Sequence, residues 1–233
     1  SREEADQRID LREGAASDMW GITGNVLIAL GTVIEIAVGG DGDDWIIGNA
    51  VDNRLVGKDG DDHIQGLDGA DHLRGRAGKD LLEGGRQADL LEGDGGTDGL
   101  RGNGGADKLF GGAGQDLLDG GWGQDQIFGG TVNELAMLGE AGEALINSKW
   151  DDDLMIGGED ADVFIFKGDS GTDTIVDFED GLDVIRILTG ADGFADLDIS
   201  DVAEGALVTF AETAIKLLDT ASAKLTADDF LFV

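Results

Sequence analysis

A nine-residue repeat constrains the fold of this 233-residue chain more than any other feature of its sequence. Ten nonapeptides follow one another without a gap over residues 39–128. Glycine occupies the first position of all ten and the fourth position of eight, the exceptions being Val51 and Gln87. Self-similarity at a fixed period is typical of solenoids, in which each repeat packs mainly on its neighbours.

Each nonapeptide predicts a turn followed by a short strand. The eighth position is always Leu or Ile, while the seventh and ninth positions are mixed in character. Because side chains alternate across a strand, position eight faces inward and its neighbours face outward. Glycine at positions one and four permits positive φ and close backbone approach. Two nonapeptides then make one coil of 18 residues. The sequence predicts an all-β fold, a right-handed parallel β-roll with two stacked parallel sheets.

The sixth position carries Asp in nine nonapeptides and Asn in the other. Alternate turns lie on the same side of the roll, with coils stacked about 4.8 Å apart, so these side chains form two rows. The first row contains Asp44, Asp62, Asp80, Asp98 and Asp116, and the second contains Asn53, Asp71, Asp89, Asp107 and Asp125. Beyond a break at residue 129 the pattern resumes, offset by one residue, with Asp153 and Met155 and then Asp162 and Phe164.

Extending the register towards the N-terminus adds two irregular turns. Residues 30–38 place Glu35 at position six and Ala37 at position eight, so we expect Glu35 to open the second row. Residues 21–29 place Val26 at position six and Ile28 at position eight, so this turn offers no carboxylate.

The charge of the chain calls for a cation. Asp and Glu total 50 against 16 Lys and Arg, a formal net charge of −34. A compact fold with this charge repels itself, yet a hydrophobic content of 41% argues against disorder. Ca²⁺ takes about six to eight oxygen ligands, so about nine ions between successive row members would neutralise the carboxylates and stabilise the fold. The scarcity of basic residues excludes nucleic acid as a partner, and no apolar run is long enough for a membrane span.

Pattern and composition divide the chain into five segments. They are lead-in strands and degenerate turns in 1–38, the repeats in 39–128, an insertion in 129–147, the last roll turns in 148–166 and a sandwich-like C-terminal β cap in 167–233. Four acidic residues of the cap fit either another ion site or an acidic loop between strands: Asp173, Asp177, Asp180 and Asp183.

The insertion in 129–147 has a helical pattern. Thr131 followed by Glu134 resembles a capping box. Apolar residues then follow at helical spacing, namely Leu135, Leu138, Ala141 and Leu145. The pattern favours a short amphipathic helix lying on the roll. The alternative is two degenerate turns with Glu134 and Glu143 at position six.

The chain resembles the C-terminal region of serralysin-type secreted metalloproteases, within the broader RTX family of calcium-binding nonapeptide proteins. The nonapeptides carry the resemblance to RTX proteins. Residues 7–14, QRIDLREG, with residues 24–26 and 31–35 leading into 39–44, look like the segment that joins protease and roll in serralysins. Ten regular turns and a 19-residue insertion are more than we would expect of a serralysin.

The resemblance also implies a set of metal ligands. In the family, positions two and four of a turn give backbone carbonyls, position six gives its side chain, and the turn 18 residues later completes the shell. Carried onto this sequence, the calcium ligands are Val33, Glu35, Gly40, Gly42, Asp44, Asn49, Val51, Asn53, Gly60, Asp62, Gly69, Asp71, Gly78, Asp80, Asp89, Asp98, Gly105, Asp107, Gly114, Asp116, Gly123, Asp125, Asp153 and Asp162.

The function that the resemblance implies is a module that folds on binding Ca²⁺ outside a Gram-negative cell, after export by a type I secretion apparatus. Residues 229–233, DFLFV, are similar to the family's uncleaved secretion signal, and they also fit a final edge strand. We predict no catalytic residue, because the HExxH motif is missing and His63 and His72 face out from opposite sheets. A catalytic or effector domain would lie upstream in the same polypeptide.

Two other classes of function fit parts of the sequence. Carboxylate pairs are typical of polysaccharide-cleaving enzymes, but the chain has no Cys or Tyr and calcium would occupy most of its carboxylates. An adhesin, or the RTX module of a polysaccharide-modifying enzyme, would bind acidic carbohydrate through outward-facing residues, namely Trp45, Arg54, Arg74 and Lys108.

Overall fold

A computed structural model describes residues 5–19, 22–130, 136–138, 144–146, 152–158, 161–166 and 171–233. Within these ranges the chain forms 24 β-strands and three short 3₁₀ helices, and no α-helix. The prediction of an all-β fold is confirmed. None of the helices in these ranges has the length and hydrophobicity to cross a membrane.

The strands of the roll alternate between two sheets. In sheet order, the 14-stranded sheet contains β21 (Asp198–Val202), β22 (Gly205–Phe210), β23 (Thr213–Leu218), β19 (Gly171–Ile175), β17 (Leu154–Ile156), β15 (Ala136–Leu138), β13 (Leu117–Gly123), β11 (Gly99–Gly105), β9 (Leu81–Arg86), β7 (His63–Asp68), β5 (Trp45–Ile47), β1 (Arg8–Asp10), β2 (Ala16–Met19) and β3 (Ile22–Leu27). The ten-stranded sheet contains β24 (Phe230–Phe232), β20 (Val184–Ile187), β18 (Val163–Phe166), β16 (Ala144–Ile146), β14 (Gln126–Gly130), β12 (Lys108–Ala113), β10 (Leu90–Gly95), β8 (His72–Ala77), β6 (Arg54–Asp59) and β4 (Ile36–Val38).

Neighbouring strands of the repeat region are parallel and offset by 18 residues. In the smaller sheet, Leu73 lies between Leu55 and Leu91. In the larger sheet, Ile64 lies opposite Leu82. The predicted 18-residue coil is confirmed. Position-eight side chains from residue 46 to residue 127 are at most 1% exposed and form one continuous core. Burying each contributes about 1.5–3 kcal/mol.

The structure contradicts the helix predicted for the insertion. Strands β15 and β16 lie there and pair in parallel with the roll, with Met137 opposite Leu118 and Leu145 opposite Ile127. They belong to two further turns, which corresponds to the alternative interpretation. Strand formation depends strongly on cross-strand packing, so pairing with the neighbouring coils outweighs the local helical spacing. Residues 131–135 and 139–143, including Glu134 and Glu143, lie outside the described residues.

The start of the roll also differs from its predicted register. The strand stacked on β5 is β1, where Ile9 lies opposite Ile46. Residues 21–29 are not a turn of the roll, because β3 pairs antiparallel with β2, and Val26 lies opposite Ser17. The buried position of Ile28 is nevertheless confirmed. The prediction for residues 30–38 is confirmed at β4, whose central residue 37 lies opposite residue 55.

The C-terminal cap continues both sheets. Strand β23 pairs in parallel with β19 and extends the larger sheet through the antiparallel strands β22 and β21. Strand β24 pairs with β20 and is an edge strand of the smaller sheet, which confirms that interpretation of residues 230–232. Asp229 caps the preceding 3₁₀ helix through Thr226 and accepts a hydrogen bond from the backbone N–H of Gly181.

Candidate metal centre

The position-six side chains form two buried rows along the roll. Each is at most 4% exposed, although nearly all are acidic: Asp44, Asn53, Asp62, Asp71, Asp80, Asp89, Asp98, Asp107, Asp116 and Asp125. Asp153 and Asp162 are buried in the same way farther along the chain. Charged side chains are rarely buried unless they are paired or coordinate a metal. The rows therefore require partners.

One carboxylate oxygen of each row member binds the preceding coil. Oδ1 of Asp62 accepts a hydrogen bond from the backbone N–H of Asp44 at 2.8 Å, and Oδ1 of Asp80 accepts one from Asp62 at 2.9 Å. The same bond recurs along both rows at 2.7–2.9 Å, always between residues 18 apart. These bonds hold successive turns in register.

The other carboxylate oxygen has no such partner. Oδ2 is buried and accepts no hydrogen bond from the described residues in seven members of the rows: Asp62, Asp71, Asp80, Asp89, Asp98, Asp107 and Asp116. Leaving a buried acceptor unsatisfied costs about 1–3 kcal/mol, and more for a charged group. Seven such oxygens in two lines are the pattern that a row of bound cations would explain.

Glycine at position one makes room for these oxygens. A Cβ atom on Gly111 would lie 2.5 Å from Oδ2 of Asp116, and one on Gly93 would lie 2.5 Å from Oδ2 of Asp98. Real Cβ atoms essentially never approach another heavy atom this closely. The expected close approach at position one is confirmed.

Positive φ occurs at positions two and four rather than at one and four. At position four, Gly60 has φ 110° and Gly78 has φ 134°. At position two, the same region is occupied by residues with side chains, including Lys58 at 110° and Arg76 at 95°. The prediction of positive φ at position one is wrong, because glycine is needed there for space.

Backbone carbonyls line the turns beside the carboxylates. A Cβ atom on Gly60 would lie 2.5 Å from the carbonyl oxygen of Gly42, and one on Gly69 would lie 2.7 Å from that of Val51. These position-four oxygens therefore face the equivalent turn of the next coil. Position two behaves similarly, since the carbonyl of Asp94 lies against Gly112. Both carbonyl positions implied by the resemblance lie along the rows.

Burial makes the charged form of the row carboxylates unfavourable. It raises the pKa of Asp62 and of Asp89 to about 8, against the backbone hydrogen bond that each accepts. The pKa of Asp98 rises to about 7 for the same reason. Neighbouring carboxylates of the same row add to each of these increases in pKa. A bound cation would oppose both the burial and the mutual repulsion.

The donors fit a hard cation. They are carboxylate and carbonyl oxygens, the ligand type that Ca²⁺ prefers. No group of three or more His, Asp and Glu side chains within the described ranges could hold a metal by itself. An ion would therefore combine two successive carboxylates of one row, such as Asp62 and Asp80, with carbonyls from their turns. Thiolate sites are excluded because the chain has no Cys.

The comparison with known families agrees with this geometry. Residues 1–212 match the family model described as peptidase M10 serralysin C terminal. The chain belongs to this family. The match covers the two carboxylate rows and the lead-in strands together, so it goes beyond the nonapeptides alone.

Individual relatives of this serralysin C-terminal domain match over short stretches. A serralysin of Photorhabdus laumondii subsp. laumondii is 57% identical over 44 residues, and serralysin A of Dickeya chrysanthemi is 56% identical over 41. The metalloprotease AprA of Pseudomonas entomophila is 53% identical over 45 residues. These stretches are 18–19% of this chain and 9% of each relative. The extracellular lipase LipA of Serratia marcescens has a TM-score of 0.34 and 14% identity over 88% of this chain and 41% of that one, and no conclusion rests on it.

The N-terminal ends of the two rows differ from expectation. The backbone N–H of Gln7 donates to Oδ1 of Asp44 at 2.6 Å, so Gln7 occupies the six-position before Asp44. The spacing from Gln7 to buried Ile9 matches that from position six to position eight, and this signal was missed. Glu35 has the expected position in the second row, but its side chain is exposed, as is Val33. The amide oxygen of Asn53 accepts a hydrogen bond from the backbone N–H of Asn49.

The acidic residues of the cap do not form a single cluster. Asp173 and Asp183 are buried and continue the two rows, because they accept hydrogen bonds from the backbone N–H groups of Asp153 and Asp162 at 3.0 Å. Asp177 instead accepts hydrogen bonds from the backbone N–H groups of residues 157 and 158, and residue 180 is exposed. The rows therefore extend into the cap.

Proposed function

We propose that this chain is a calcium-binding module that folds on meeting Ca²⁺ outside the cell and supports the type I secretion and the stability of a larger exported protein. One observation carries the proposal: seven buried Asp Oδ2 atoms without hydrogen-bond partners lie in two rows beside turn carbonyls. Membership of the serralysin C-terminal family supports the same conclusion.

Folding would depend on the cation for a physical reason. With a net charge of −34 and buried carboxylates whose pKa values are raised by burial, the metal-free coil is penalised at neutral pH. An ion that binds the folded chain and not the unfolded one stabilises the fold by mass action. Because the site requires two adjacent coils, its binding free energy becomes folding free energy.

Secretion would use this dependence. In a cytosol with little free Ca²⁺ the chain stays unfolded and can pass through a narrow export channel. Outside, Ca²⁺ folds it and prevents its return. The partners are then Ca²⁺, the type I secretion apparatus, which would recognise residues 229–233, and the remainder of the exported polypeptide.

The exported polypeptide would be a serralysin-like zinc protease whose catalytic domain precedes this chain. The two histidines offer no zinc site to this chain, because His63 pairs with Glu83 in the larger sheet and His72 pairs with Glu92 in the smaller one. An HExxH motif encoded upstream of residue 1 would support the assignment. An upstream domain with a different catalytic motif would reject the protease while leaving the calcium module intact.

The decisive experiment follows folding against metal. The chain is prepared in EDTA and its far-UV circular dichroism is recorded during titration with Ca²⁺, and separately with Mg²⁺ as the matched divalent control. We expect an unfolded spectrum in EDTA, a β spectrum after Ca²⁺ and little response to Mg²⁺, which demands a smaller octahedral site. A chain that is equally folded in EDTA would overturn the proposal.

An alternative proposal, an adhesin or polysaccharide-modifying RTX protein that binds acidic carbohydrate, has weaker support. Trp45 stacks on His63 with ring centroids 5.8 Å apart, and the Arg8 guanidinium lies 5.6 Å from its ring. Arg74 is engaged by Asp94 and lies 3.7 Å from Glu92. These contacts occupy two of the four side chains that the alternative requires. Retention on alginate beads in Ca²⁺ would favour it.

A further inference from the structure

A groove crosses the outer surface of the larger sheet where three neighbouring strands end. Position three of successive coils carries Arg86, Gly104 and Trp122, and their Cα atoms are direct partners across β9, β11 and β13. Gly104 has no side chain, which leaves a gap between Arg86 and Trp122. The resulting groove has a volume of about 470 Å³.

The gap does not arise from a structural need for glycine. A Cβ atom on Gly104 would meet its nearest heavy atoms at 3.9 and 4.0 Å, which is ordinary van der Waals contact. The backbone there is extended within β11, so a side chain would be accepted. This position differs from the position-one glycines, where a Cβ atom is excluded. The groove can therefore be filled by substitution without disturbing the calcium rows.

The walls combine an aromatic surface with polar groups. The Trp122 side chain is 77% exposed, and no ring in the described part of the chain stacks on it. Arg101 lies along one side, 3.3 Å from Glu83 and 3.5 Å from Asp119. Exposed Asn103 lies in the centre and donates to the carbonyl of Arg101 at 3.4 Å. A flat apolar surface ringed by donors and acceptors is suited to a ligand with one apolar face and many hydroxyls.

Charge favours a neutral ligand. Arg86 lies 3.6 Å from Asp68, so the two arginines of the groove face three carboxylates, those of residues 68, 83 and 119. The local sum is therefore −1, on a chain whose net charge is −34. Such a surface repels anions at a distance.

The size of the gap sets the size of the ligand. Arg86 and Trp122 are two coil spacings apart, about 9.6 Å, which accommodates one sugar ring between them. We propose that this groove binds a single hexose unit of a neutral polysaccharide, with the ring against Trp122 and its hydroxyls bonded by Arg101, Asn103 and Asp119. This site is independent of the calcium rows except that the roll must be folded to form it.

The test uses the whole chain in Ca²⁺ with four neutral probes: cellohexaose, maltohexaose, laminarihexaose and N-acetylchitohexaose. Binding is measured by isothermal calorimetry and by saturation-transfer NMR. We expect at least one probe to bind, and the variants Trp122→Ala and Gly104→Leu to weaken it by at least about tenfold. The matched control Trp45→Ala removes an exposed indole of the same sheet and should change affinity less than about twofold.

Circular dichroism in Ca²⁺ checks that each variant is folded. Failure of all four probes to bind the parent chain overturns the proposal. Equal loss of affinity in Trp45→Ala and Trp122→Ala overturns the location of the site, as does unchanged affinity in folded Gly104→Leu. Tighter binding of oligoguluronate than of every neutral probe overturns the assignment of a neutral sugar.

Discussion

The backbone N–H of Asp71 donates a 2.8 Å hydrogen bond to Oδ1 of Asp89 in the next coil. Oδ2 of the same Asp89 carboxylate is buried and accepts no hydrogen bond from the described residues. One side chain therefore uses one oxygen to hold two coils in register and keeps the other for a cation. Substitutions that separate these two roles test the calcium site directly.

The variant Asp62→Asn should have opposite effects with and without calcium. It keeps an oxygen for the N–H of Asp44 but removes the charged ligand, so the free energy of unfolding in Ca²⁺ should fall by about 2–3 kcal/mol. In EDTA the same variant should be more stable than the parent, because an unfavourable buried charge is gone. Urea unfolding in both buffers measures the two effects.

The neighbouring variant Asp61→Asn is the control for that comparison. Asp61 is exposed, and its Oδ1 accepts a hydrogen bond from the backbone N–H of Lys79 at 2.7 Å, which an amide oxygen can also do. We expect changes within about 0.5 kcal/mol in both buffers. Equal behaviour of the two variants would show that position six has no special role.

The glycines of position one should not tolerate even a methyl group. Gly111→Ala would place Cβ 2.5 Å from Oδ2 of Asp116, so it should destabilise the Ca²⁺ form by about 1–3 kcal/mol and weaken calcium binding. Gly104→Ala, where the nearest atoms are at 3.9 Å, should be neutral or stabilise by up to about 1 kcal/mol. Thermal unfolding compares them, and similar losses in both would contradict the steric explanation.

Position two should accept glycine with a gain in stability. Arg76 has φ 95°, and a side chain in this region costs about 1–2 kcal/mol, so Arg76→Gly should raise the free energy of unfolding by about 1 kcal/mol. The control Arg54→Gly lies at the start of strand β6 and should lower it by about 0.5–1 kcal/mol. Denaturant unfolding in Ca²⁺ measures both. A loss in Arg76→Gly would contradict the prediction.

Stability in EDTA should fall as pH rises. Burial raises the pKa of Asp62 and Asp89 to about 8 and of Asp98 to about 7, so the folded chain holds more protons than the unfolded one. The stability contributed by protonation is complete below about pH 4 and is lost between there and about pH 8, at up to about 1.4 kcal/mol per pH unit for each group. Urea titrations at four pH values between 4 and 8 measure the slope.

General charge repulsion has the same sign, so a variant is needed to separate the two effects. Asp62→Asn combined with Asp89→Asn removes two of the titrating groups, and the slope in EDTA should become shallower. An unchanged slope would assign the pH dependence to net charge alone. In Ca²⁺ the sign should reverse below about pH 6, because the carboxylates must lose their protons to bind the ion.

The regular part of the fold could be predicted because each coil repeats the same local instructions. The inward position of Leu73 and its equivalents follows from period-two alternation, and the pairing of Leu55 with Leu73 follows from two repeats per coil. Burial of the position-six carboxylates is predictable for the same reason.

The irregular parts could not be predicted from periodicity. The strand beside β5 is β1, because the β2–β3 hairpin is inserted between two consecutive turns of the roll, and extending the register backward cannot detect such an insertion. The strand containing Met137 was obscured by a helical pattern, since the coils that pair with it are distant in sequence. Positive φ at Lys58 depends on turn geometry that residue types alone do not reveal.

The 18-residue offset between strand partners limits how the roll can change in length. Loss of residues 75–92 would join residue 74 to Gly93 and leave every later strand in its original sheet. Loss of only residues 75–83 would keep the nonapeptide register but transfer every later strand to the opposite sheet. The β21–β23 hairpin and β24 would then exchange partners. Insertions and deletions are therefore tolerated in pairs of repeats, so the visible repeat of nine residues is half of the heritable unit.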